Sequence, residues 1–511
     1  MRHRWKILMA VAGFLVLISG SLVVTQRIEP GNELGAYKMR LRARGEKLDL
    51  AEVLPAPVAP EDNAASAVEQ AFALFGPGTE KVPDAMTMVA PGRALAGWSQ
   101  PEVRGDDFTN TWEEFAARVE ADRPAIELLQ QVLARPRLDF ELDYTKGAQL
   151  RMPHLGALKH ATRKLTAAAI MELHNRDDGA AATNILTLLD LVHKNAMEGL
   201  WYAHLARMAM TEIAVTPTWE FLQTTNTTEA QLAAVQKGWQ QMDFLGDAEN
   251  AFVTERAWEA TEIQKGRASH SAYEETIVGP ALFARKSPGG RPADWNEFLD
   301  RARGTIGEAM WRSSWSYSDE LYLLQSDQIM LEAVRAMQTN RSGYYKADYD
   351  AMAKRLAKLA FPYAEGALFR ALGILYVSEL FNPGSGMSLQ RALRMEAARD
   401  VVVTAIALKR FQLKHGQWPK SLAEVVPEFL PSVPIDPYDG KPLRYRPNGD
   451  GTYLLYCVGE DGVDNGGDPT CPPSAGSSSL DWLNPKARDW VWPQAATPAE
   501  VEFFYEHPSK K

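Results

Sequence analysis

"HATRKLTAAAIMELHNRDDGAAATNILTLLDLVHKNA", residues 160–196, decides the fold. Apolar residues recur at three- and four-residue steps on both sides of Asn175–Gly179, which is the mark of two amphipathic helices turning back on each other. The same period runs outward in both directions. "TWEEFAARVEADRPAIELLQQVLA" (111–134) places Trp112, Phe115, Ala116, Val119, Ile126, Leu129 and Val132 along one helix face. Asp62 or Asn63 is positioned to cap a helix through "NAASAVEQAFALF", and Gly76-Pro77-Gly78 ends it. Further helices are expected at about 199–222, 228–243, 248–266, 295–311, 315–339, 345–359, 363–380 and 388–415. No fixed 34-residue repeat runs through them. The expectation is a mainly α protein whose body, 62–386, is an irregular, solenoid-like stack of helices.

A chain of 511 residues, 46% hydrophobic and 23% charged, is globular. Its formal net charge of −10 argues against a nucleic-acid binder, which carries a basic face. "MRHRWKILMAVAGFLVLISGSLVV" puts Arg2, Arg4 and Lys6 ahead of an uncharged run from Ile7 to Val24. Such a run behind cations predicts a single-pass transmembrane anchor over 1–25 in a bacterial cytoplasmic membrane, with the bulk of the chain outside the cytoplasm. Ser19-Gly20-Ser21 leaves a cleaved signal peptide as the alternative. Residues 26–61, with Pro55, Pro57 and Pro60, read as a polar, proline-rich linker.

No catalytic motif stands in the helical body. His174 lies in "MELHN", not in a His-Glu-x-x-His pair. His193 and His204 share a face only if one helix passes unbroken through "KNAMEGLW". "GPGTEK" (76–81) lacks the spacing of a phosphate loop, and Glu255-Arg256 reads as one half of an interhelical ion pair.

After Leu413 the chain changes to turns and short strands. "PLRYRP" and "TYLLYCVG" alternate in the strand manner around the Asn448-Gly449-Asp450-Gly451 turn. "VGEDGVDNGGDP" (458–469) follows, packed with acidic residues and glycines. A helix ending in a Gly, then Trp418-Pro419, Asp436-Pro437, Tyr445, Tyr456, Gly459 and Asp461-Gly462, comes in an order that resembles the globular head of type II secretion major pseudopilins. The whole chain is similar to envelope proteins that carry such a tail. The resemblance covers about a fifth of the chain and implies a small α+β unit over 387–495, followed by a tail over 496–511. The signature of a pilus subunit is absent: Gly13-Phe14 is present, but position 18 is Ile and no glutamate lies in the apolar run.

The resemblance also implies a calcium site in the acidic loop. Calcium takes six to eight oxygen ligands, and glycines let a chain bend around it. Asp461, Asp464 and Asp468 are the candidate ligands, joined by Asp489 in "RDWVWP" with Asp481 as its rival. The alternative is a polar turn, where Asp and Gly sit for conformational reasons. Cys457 and Cys471 bracket the loop. In an exported chain they suit a disulfide worth about 3 kcal/mol by chain entropy.

Two functions remain open. One is a non-enzymatic envelope protein whose tail is a calcium-stabilised interaction module, with a second envelope protein as partner. The other is an exported hydrolase with its site in a helical cleft. A cleft lined by carboxylates favours the second. A cleft-free body with an exposed apolar groove favours the first.

Overall fold

The computed structural model describes residues 31–75, 102–104, 109–278, 308–309, 311–340, 342–364, 385–449, 451–470 and 486–494. The opening hairpin is present, with α5 (Pro153–His174) and α6 (Asp178–Lys194) antiparallel. Pro153 starts α5 where a missing N–H costs nothing. Arg176 takes a left-handed φ of 63° to reverse the chain. Asp177 then accepts the Ala180 N–H at 2.9 Å and caps α6.

Around this pair the remaining helices pack in chain order. Before it stand α1 (31–43), α2 (Leu50–Val53), α3 (Ala65–Leu74) and α4 (Trp112–Gln130). After it come α7 (Trp201–Gln223), α8 (Glu229–Gln240), α9 (Phe244–Ala268) and α10 (His270–Tyr273). The set closes with α11 (Ser316–Thr339), α12 (Tyr345–Ala364) and α13 (Ser385–His415). A short hairpin of β1 (Glu102–Arg104) and β2 (Thr109–Thr111) precedes α4. The expected helices at 295–311 and 363–380 fall mostly outside the described residues.

Two readings of the N-terminal region change. Among the described residues no helix is long and apolar enough to cross a membrane. This corrects the expectation of a transmembrane, single-pass protein and the membrane location drawn from it. The long described helices interrupt their apolar stretches with charged or polar residues. Even α13, the longest, carries Arg391, Arg394, Glu396, Arg399 and Asp400 within three turns. The run 7–24 on which the anchor rested lies outside the described residues.

The expected linker is also structured where it is described. Helix α1 buries Leu34 and Leu41, and Leu48 follows, against Ile263, Trp311 and Leu324. Glu46 is buried in the turn after α1, where it meets Arg256 Nη2 at 2.9 Å and also Arg335. The polar segment docks because its charges find buried partners, a feature that polarity alone does not display.

The C-terminal unit has the helix-then-sheet order read from the sequence. Helix α13 leads to β3 (Arg444–Pro447), β4 (Tyr453–Cys457) and β5 (Trp490–Val491), an antiparallel sheet in the order β3-β4-β5. It is not a detached module. One continuous apolar core runs from Ala64 through α4–α9 and α13 to Trp492. Helix α13 packs on α7, α8 and α9 with one side and on β4 with another. Its Leu389, Leu393, Val401, Val402, Ile406 and Leu408 are fully buried. At roughly 2 kcal/mol for each such side chain, their burial is worth on the order of 10 kcal/mol, an upper figure. That is comparable to the whole net stability of an ordinary domain.

Candidate functional site

A polar cleft of about 420 Å³ opens between the strap 47–55, the chain at Pro136–Arg137, the α6–α7 turn and the first half of α9. The turn is built by Gly199, whose φ of +63° breaks the helix. A Cβ there would stand 2.9 Å from Thr254 Oγ1, so only glycine closes the turn against α9. The break places His193 on α6 and His204 on α7, so the two do not share a helix face.

The charged groups of the cleft come from four separate segments: Lys47, Arg137, Lys194 with Glu198, and Asp247. Each carboxylate faces a nitrogen-bearing side chain beneath it. Glu198 Oε1 lies 2.6 Å from His154 Nε2, and the His154 ring stacks on Phe140 at 4.3 Å. The Glu198 backbone carbonyl accepts the Tyr144 hydroxyl at 2.7 Å. Asp247 pairs with Arg207, a fully buried guanidinium that also donates to the Val192 carbonyl at 2.9 Å. Burial pushes Arg207 down to about 10, still cationic at neutral pH. Lys194 bridges Asp190 and the Val132 carbonyl. Lys47 and Arg137 are exposed at the rim. His193 faces the cleft, and burial holds it below the usual imidazole range. His204 is pushed down to about 3 by burial and then by Arg207, so it stays neutral and serves packing against Trp201.

Apart from His193, none of these cleft residues stands out in the sequence. Lys47 and Glu198 are separated by 151 positions, and neither sits in a recognisable motif. The one usable signal was the Gly199 break, which marks a turn that must pass close to another element.

The acidic loop has a different geometry from the expected calcium cage. Asp489 is fully buried, and its carboxylate accepts N–H groups from Gly467 at 2.8 Å, Asp468 at 3.0 Å and Asn465 at 3.2 Å. Asp464 accepts from the Tyr456 hydroxyl at 2.9 Å and from Arg444 Nε at 3.2 Å. Asp468 accepts from Thr470 N and from Arg488 Nη1, both at 3.0 Å. Asp461 accepts its own turn's Val463 N–H at 2.9 Å. As placed, the four carboxylates accept N–H and O–H donors and do not draw three ligand atoms together. Among the described residues, the only His, Cys, Asp or Glu group with three ligand atoms drawn together is His270, Glu274 and Glu308. Cys471 and Asp481 lie outside the described residues, and with Cys471 the expected disulfide; Cys457 is buried at the end of β4.

The sequence did not single out Asp436 as a structural centre. It is fully buried and accepts from Tyr438 N at 3.0 Å, Val458 N at 2.8 Å and Arg444 Nη1 at 2.7 Å, tying the Asp-Pro turn to the start of the loop.

Comparison with known proteins finds no matching family model, curated protein or solved structure.

Proposed function

We propose that the protein is a binding protein that takes up a small, polar, anion-bearing molecule in the cleft of its helical body. The observation that carries this is the charge arrangement. Asp247 is paired with Arg207 and Glu198 lies against His154, while Lys47 stands exposed at the rim. A chain of net charge −10 thus presents an exposed lysine at the mouth of a concave site. Asn250 and Thr254 supply neutral hydrogen-bonding groups inside it. A cleft of this size and polarity suits a metabolite-sized ligand.

The test is thermal unfolding of the full chain against a panel of inorganic phosphate, sugar phosphates and dicarboxylates. At least one should raise the melting temperature in a saturable way, as a ligand of the folded state must. Lys47→Glu should abolish the rise without lowering the starting stability, since Lys47 is exposed. No shift with any member, or a shift that survives Lys47→Glu, would overturn the reading.

A second reading, hydrolysis in the same cleft, is favoured by the Glu198–His154 contact alone. A carboxylate beside an imidazole is the arrangement of a general base and its orienting group. Turnover of the bound ligand, lost in Glu198→Gln, would separate it from simple binding. The C-terminal unit is not assigned an interaction role, because one side of its helix is spent on the body's core.

A further inference from the structure

We infer that His270, Glu274 and Glu308 form a binding site for a divalent ion of the zinc class, separate from the cleft. Helix α10 begins at His270, capped by Ser269 Oγ accepting the Ala272 N–H at 3.1 Å. His270 and Glu274 are four residues apart, so they lie one above the other on the same side of the turn. Glu308 comes from a different part of the chain. Both of its oxygens lie 2.9 Å from His270 Nδ1, and Arg312 Nη1 holds Oε1 at 3.0 Å. One ligand atom from each of the three residues falls within 4.8 Å of the other two. Donors of a common tetrahedral zinc, bonded at about 2.0–2.1 Å, stand about 3.3 Å apart, so a small side-chain adjustment closes the set.

One neighbouring feature is independent of that convergence. The cluster is flanked by the π-helical turns Glu274–Val278 and Trp311–Trp315. Such turns are rare and occur frequently at functional sites.

The donor set selects the ion. One imidazole nitrogen with two carboxylates suits zinc, manganese or ferrous iron, whereas calcium demands six to eight oxygens and no nitrogen. His270 and Glu274 are exposed, so solvent completes the coordination and the ion is exchangeable. An ion here would join α10 to the segment that leads into the 311–315 turn, and would offset the repulsion between the two glutamates.

The experiment is calorimetric titration of chelator-treated full-length protein with zinc chloride, alongside cobalt(II) absorption, which reports coordination directly. One equivalent should bind, and His270→Ala and Glu274→Gln should each weaken binding by at least about tenfold. Both positions are exposed, and their variants should melt with the parent when metal is absent. Glu308→Gln keeps the packing and should act alike. No binding, binding equally tight in His270→Ala and Glu274→Gln, or a preference for calcium would each overturn the inference.

Discussion

The carboxylate of Asp489 accepts the backbone N–H of Gly467 at 2.8 Å, across 22 residues of chain. With the N–H groups of Asn465 and Asp468 it forms an internal anion site. Glycines at 466 and 467, at φ of 75° and 84°, turn these donors inward, a conformation that suits glycine and few other residues. In this arrangement a carboxylate closes the loop.

Asp489→Ala should leave three donors without an acceptor and lower the unfolding free energy by about 3 kcal/mol. Denaturant titration of the full chain reads this directly. Calcium and chelator should give the parent the same melting temperature. A calcium-dependent rise, lost in Asp464→Ala, would return the loop to a metal.

The fragment 388–511 should not fold alone. It would expose the face of α13 that packs on α7, α8 and α9, including Val401, Val402 and Ile406. Circular dichroism should show little cooperative melting. A sharp transition equal to that of the full chain would show that the shared core is dispensable.

Glu46 fixes the strap that walls the cleft. Burial alone would raise its carboxyl, but Arg335 and Arg256 hold it down to about 2. Its contribution is present above the unfolded value near 4.5 and is lost as pH falls through about 2. Glu46→Ala strands Arg256 in the core and should cost about 3–5 kcal/mol. It should also weaken any cleft ligand, because Lys47 moves with it. Unchanged stability in urea unfolding would show that Arg256 finds another partner.

Alkaline pH should act in the opposite sense. Burial pushes Glu255 up to about 7 against the pull of the Trp201 N–H. Glu259 and Asp327 are raised by burial first, with Arg256 opposing the rise at Asp327. The folded state keeps protons that the unfolded chain releases near pH 4. This stability is complete below about pH 4 and is lost as pH rises through 7. Unfolding free energy should fall by about 1 kcal/mol between roughly pH 6 and 8.5, and by less in Glu255→Gln. A flat profile in the parent would place these groups in contact with water.

The sequence made the helical body legible because its signal is local. The 160–196 hairpin, the periodicity of α4 and the Asn448–Gly451 turn are each written within a few residues of one another. Sites assembled across the chain carry no such mark. Lys47 comes to line one cleft with Glu198 and Asp247 only after their separate segments have packed. The linker reading failed for the same reason, since Glu46 looks like a solvated charge until Arg256 and Arg335 arrive from α9 and α11. The acidic loop was legible in composition and not in polarity. Asp and Gly suit both a cation cage and a nest of N–H donors, and only the fold sets Asp489 against those donors.

The shared core also sets a schedule for synthesis. The Trp219 indole N–H donates to the Pro493 carbonyl at 2.8 Å, 274 residues further along the chain. At about 5–20 residues per second, the ribosome needs on the order of tens of seconds to supply that partner. For the part of that interval before α13 is made, the faces of α7 and α8 that receive it stay open to water. The nascent chain is then a sticky, half-sealed object for which holding chaperones would compete. A truncation near residue 380 should yield aggregate in place of a smaller working protein.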